Sequence, residues 1–186
     1  MGFRVLLIAV KGKDPEGIHR DYGVVASDEF EDMPGSAVLG AVLPSGAYLL
    51  YINDEITPNS ETLEKLSRGA SLVTCYVNET VMNSLASSWV NGVEQWSVFH
   101  DAQQGIKHLS VSGDPPSQLG SIQKKAFAEQ DESGNVDHVF DVPVELFVTL
   151  GGLRYHQDIP GAGPTPWQVL VRVNDKATRK KWWQWR

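Results

Sequence analysis

The sequence predicts an α+β domain: a mainly antiparallel sheet built from hairpins, with about three helices packed on it. Short apolar or alternating segments recur along the chain and read as strands, and several are joined by residues suited to hairpin turns. Strands and helices do not alternate regularly, and the helical segments gather toward the C-terminal half. That order argues against a doubly wound nucleotide-binding fold. With 186 residues, 41% of them hydrophobic, the chain is long enough to bury a sizeable core without staples.

Residues 3–10 form a nearly continuous apolar run, the signature of a strand buried on both faces. Its core, Val5 to Val10, is shorter than the roughly 7–15 apolar residues of a signal peptide, and Lys11 and Lys13 follow at once. Residues 14–20 suit a helical turn with Pro15 at its start. The acid-rich stretch 28–35 reads as a loop.

Pro44-Ser45-Gly46 joins residues 38–43 and 47–53 into a hairpin. The pattern predicts a helix over 57–68, capped by Thr57, with Pro58 in its first position and Gly69 ending it. Residues 71–77 follow as a strand.

Asn91-Gly92 is the strongest turn signal, pairing residues 84–90 with 93–100. A two-residue turn sets Val90 against Val93 and Trp89 against Glu94. An unbroken ladder from there places Leu85, Trp89, Trp96 and Val98 on one core-facing side. A further strand is expected over 106–112, helices over 117–130 and 141–150, and a last strand over 167–173. Residues 1–175 are expected to form one domain, followed by a basic tail, 176–186.

Charge divides at that boundary. Residues 1–175 carry 11 basic and 23 acidic side chains, a formal −12, whereas residues 176–186 carry five basic side chains and no acid. An acidic body repels nucleic acid and attracts basic partners. The single cysteine, Cys75, forbids an internal disulfide. No apolar run approaches the roughly 20 residues of a membrane span, so a cytoplasmic protein is expected.

Few residues suggest a reaction. Cys75, His100 and Asp101 supply the types for a thiolate nucleophile, its base and an orienting group, hence for a hydrolase or transferase pocket. Alternation within the strand 71–77 instead allows Cys75 to point into the core. The five histidines form no HxxxH or HExxH pair, so no metal site is expected. No phosphate-cradling glycine motif is present, and no cofactor is implied.

The remaining candidates are contact residues. Asp28, Glu29, Glu31 and Asp32 lack the spacing of a calcium loop but can attract a basic surface. Tyr48, Tyr51 and Trp167 are candidate contact aromatics if they lie on the surface. In the tail, Lys180, Lys181, Trp182, Trp183, Trp185 and Arg186 suit an anionic membrane interface or stacking on single-stranded bases. The seven-residue run 180–186, KKWWQWR, resembles short tryptophan- and arginine-rich antimicrobial peptides, which implies membrane affinity and a peripheral membrane protein as one alternative. The body is similar in charge and size to small acidic bacterial proteins that neutralise toxins. The expectation is therefore a non-enzymatic binding protein with a basic protein partner.

Overall fold

The apolar run near the N-terminus becomes the central strand β1 (Arg4–Lys11), whose residues Val5–Val10 are all buried. The computed structural model describes residues 2–53, 59–132, 134 and 136–173. The other strands are β2 (Val24–Glu31), β3 (Val38–Val42), β4 (Tyr48–Ile52), β5 (Ser71–Asn78), β6 (Asn83–Val90), β7 (Val93–Asp101), β8 (Ser110–Gly113) and β9 (Trp167–Arg172). All nine form one antiparallel sheet in the order β2-β9-β3-β4-β1-β5-β6-β7-β8.

Alternation along β1 divides the core. Val5, Leu7 and Ala9 pack with Phe140, Val144, Phe147, Leu153 and Tyr155, so α4 (Asp141–Gly151) and the segment after it cover that face. Leu6, Ile8 and Val10 pack with Ile18, Leu63 and Leu66, so α1 (Pro15–Tyr22) and α2 (Ser60–Ser67) cover the other. α3 (Gln118–Glu132) packs beside α4 over β6 and β7, through Leu119, Ala126, Ala86 and Val98. The fold is therefore α+β, as the sequence predicts, with helices on both faces and four of them.

Helix ends follow their sequence signals. Asp14 caps α1 by accepting from the Gly17 N–H at 2.8 Å, and Gly23 ends it in the left-handed region that favours glycine. In α2 the cap is Asn59, which accepts from the Glu61 N–H at 2.9 Å. The expected cap Thr57 and Pro58 lie outside the described residues.

Three expectations are corrected. The stretch 28–35 is not wholly a loop, because Asp28, Glu29 and Glu31 belong to β2, which pairs with β9. The strand expected over 106–112 is shorter, since residues 106–109 form a connection and only β8 pairs with β7. The third correction concerns the Asn-Gly hairpin. Val90↔Val93 and Trp89↔Glu94 pair as expected, but Ser88 then faces Trp96 across a bulge at Gln95. One extra residue reverses the facing of everything beyond it. Trp96 and Val98 therefore join Ala86 under α3 and α4, while Trp89 and Leu85 lie on the α1/α2 face.

His19 on α1 is buried against β4, where its Nε2 meets the Tyr48 hydroxyl at 2.6 Å. Burial holds this imidazole below its ordinary value of 6.5, against a smaller opposing pull from Glu16. The folded state then binds the His19 proton less readily than the unfolded chain. The associated stability is present above pH 6.5 and declines as pH falls below it. Urea midpoints should drop between pH 7.5 and 5.5, and less so in His19→Gln. An equal drop in both proteins would exclude His19 as the cause.

Candidate functional site

The site is built where edge strand β2 meets the end of β9. Ala26 pairs with Leu170 and Phe30 with Gln168, so Ser27, Asp28 and Glu29 together stand opposite the single Val169. Three hydrogen bonds hold this irregularity: Ser27 Oγ donates to the Val169 carbonyl (2.9 Å), Gln168 Nε2 donates to the Ser27 carbonyl (3.1 Å), and the Glu29 N–H donates to Ser27 Oγ (3.1 Å). The side chains of Asp28 and Glu29 are left in solvent, a charged interruption that also blunts the open sheet edge.

Glu31 behaves differently. Its carboxylate accepts from the Gly35 and Ser36 N–H groups and from Ser36 Oγ, which closes the turn after β2. Burial pushes this carboxyl up, but the Ser36 and Gly35 hydrogen bonds outweigh it and hold it below the ordinary carboxylate range. Glu31 therefore shapes the surface rather than offering a free charge. Asp32 Oδ1 accepts from the neighbouring Met33 N–H at 2.9 Å.

Between the turn at Asp32–Met33 and the segment 158–167 lies a cavity of about 370 Å³. Asp32, Met33, Asp158, Ile159, Gly163 and Trp167 contribute to its lining. Trp167 and Ile159 are buried, whereas Phe30 and Met33 are 54% and 70% exposed beside the acids. No described cation pairs with Asp28, Glu29, Asp32 or Asp158. The result is an acidic surface with two exposed apolar side chains and one concavity.

The other predicted residues are dispersed or buried. Cys75 lies in the apolar cluster with Phe147 and Leu153, and burial pushes its thiol up to about 12. His100 is fully buried on β7 and bonds the His108 carbonyl (Nδ1, 2.7 Å) and Asp137 Oδ2 (Nε2, 2.9 Å). Both nitrogens are thus occupied away from Cys75. The Asp101 carboxylate accepts from Gln104 Nε2 and the Gln103 N–H, and these bonds hold it below its ordinary value. The three residues form no nucleophile, base and orienting group, and the Cys75 pocket is withdrawn as a catalytic centre. The native protein should react with a thiol reagent only as fast as it opens, and stoichiometric labelling within minutes at pH 7.5 would contradict this burial.

Tyr48, Tyr51 and Trp167 are buried, which removes them as surface contacts. Tyr51 donates to the Tyr155 carbonyl at 2.9 Å and packs edge-on against Trp167 at 5.4 Å. Lys180, Lys181, Trp182, Trp183, Trp185 and Arg186 lie outside the described residues.

A second cavity, about 170 Å³, opens between α3 and α4 beside Glu129, His138, Asp141 and Glu145. Its charges are met within the fold. Arg154 pairs with both Asp141 and Glu145, and Glu129 has Lys125 and His138 each at 3.8 Å. Among the described residues, no group of three or more His, Cys, Asp or Glu is arranged to hold a metal ion. None of their helices is long and apolar enough to cross a membrane.

Compared with known proteins, the chain matches no family model, no curated protein and no solved structure. Sequence reading missed Phe30, Met33 and Asp158. The signal for the first two was present, since they are the apolar residues inside the acidic run DEFEDM.

Proposed function

We propose that this protein is a small non-enzymatic binding protein whose acidic surface engages a basic macromolecular partner, in the manner of a bacterial immunity protein that neutralises a toxin. A cytoplasmic location belongs to the same reading. The observation that carries it is the set of carboxylates without described cations, Asp28, Glu29, Asp32 and Asp158, placed around exposed Phe30 and Met33. Elsewhere in the fold several carboxylates do have cations, as in Lys13–Asp21, Lys65–Glu61 and Arg154–Asp141. Leaving four negative charges together disfavours the isolated protein and favours one with a cationic face against it. The exposed apolar pair supplies the desolvated centre that charge alone does not.

The test is association with salt and charge as variables. Immobilised protein should capture a basic polypeptide from native lysate at about 50 mM salt and lose most of it by about 500 mM, as surface charges become screened. Asp28→Lys/Glu29→Lys should slow association roughly tenfold or more at low salt and leave dissociation less affected. Capture that ignores both salt and the double substitution would overturn the reading.

A further inference from the structure

We infer that the cavity at the β2–β9 end is a receptor for one lysine or arginine side chain of the basic partner. This inference rests on the acidic-surface reading above and adds a place and a ligand chemistry to it.

The walls specify the guest. Buried Trp167 and Ile159, with Met33 and Pro164, give apolar surface suited to an aliphatic stem. Asp32 and Asp158 belong to the same lining, and neither has an ionic partner among the described residues. A lysine or arginine side chain has that division, an apolar stem carrying a charged head. An anion is disfavoured by the two carboxylates, and Pro164 and Pro166 have no N–H to offer it. A hard divalent cation needs about six oxygen ligands, and no described cluster supplies them. At about 370 Å³ the space lies at the small end of the roughly 300–1,000 Å³ typical of ligand sites, which suits a single extended side chain.

The pocket also lies next to the rest of the proposed contact. Asp28, Glu29 and Phe30 lie just before Glu31 and Asp32 in the chain, so a basic partner steered by the bulge arrives beside the cavity. The bulge would set the encounter rate, while the seated cation would set the lifetime.

The experiment titrates triarginine, with triglutamate as control, into the isotopically labelled full chain at low salt and follows backbone amides. Triarginine should shift the Met33, Ile159, Ala162 and Gly163 amides, and triglutamate should not. Asp158→Asn, which keeps side-chain size, should weaken the effect roughly threefold to tenfold. Shifts confined to Asp28 and Glu29 would overturn the pocket and leave the acidic-surface reading standing. An absence of shifts anywhere at low salt would overturn both. Unmoved pocket amides because residues 176–186 already fill the space, or equal shifts with triglutamate, would likewise overturn a receptor for a partner's cation.

Discussion

Replacing Asp137 with alanine should destabilise the protein by about 3–5 kcal/mol, because two groups lose the acceptor they share, at about 1–3 kcal/mol each. Asp137 sits on the connection between α3 and α4, and its carboxylate serves two groups. Oδ2 meets Nε2 of the fully buried His100 at 2.9 Å, and Oδ1 accepts the Phe140 N–H at 3.0 Å just before α4. The other side of the imidazole is fixed by the His108 carbonyl, which can only accept, so Nδ1 carries a hydrogen. Losing the carboxylate leaves Nε2 and the Phe140 N–H without the acceptor they share. At roughly 2–4 °C per kcal/mol for a chain this long, the melting temperature should fall by about 10 °C. Asp137→Asn keeps an oxygen at one of the two positions and should lose less than half as much. A loss below about 1 kcal/mol in Asp137→Ala would mean that water satisfies His100 and that the clamp contributes little.

The same clamp shows why His100 looked catalytic in sequence. Position 100 lies near the end of a strand and is followed by Asp101, so residue types and spacing resemble an acid–base pair. The partner that decides its role is 37 residues away and is brought in by α4 packing. What was legible depended on how local the determining contacts are. The apolar run of β1, the two hairpin turns and the Asp14 and Gly23 ends of α1 are specified within a few residues. The Gln95 bulge is not, because it is held from the far side by β8. Gly113 there lies so close to the Gln95 carbonyl that a Cβ would fall 2.1 Å from it. Acidity around residues 28–32 was legible as charge, yet its strand identity required β9, about 140 residues later. Tyr48, Tyr51 and Trp167 resembled contact aromatics because the groups that receive their polar tips or rings, His19, Tyr155 and each other, are distant in the chain. Asp158 carried no signal of its own, since only folding sets it beside Asp32.

Gly40→Ala should cost about 3 kcal/mol, although it adds a single methyl group to a strand. Gly40 on β3 lies beneath the ring of Tyr48 on the neighbouring strand β4. A Cβ built there would fall 1.9 Å from the Tyr48 hydroxyl and 2.6 Å from the ring carbon that bears it. The ring cannot simply swing away. Tyr48 is buried, and its hydroxyl bonds Nε2 of buried His19 at 2.6 Å, with the two rings edge-on at 5.3 Å. Burial without a compensating charge also pushes the phenol up to about 12, so the hydroxyl stays neutral and keeps its hydrogen bond. Overpacking of this kind costs about 1–3 kcal/mol, and separating the Tyr48–His19 pair leaves a buried polar group unmet at about 1–3 kcal/mol more. Tyr48→Phe removes the atom that collides first, so the double variant should lose less than the sum of the two single losses. Strict additivity of the two losses, measured by urea unfolding at pH 7.5, would show that the glycine is needed for some other reason than the tyrosine above it.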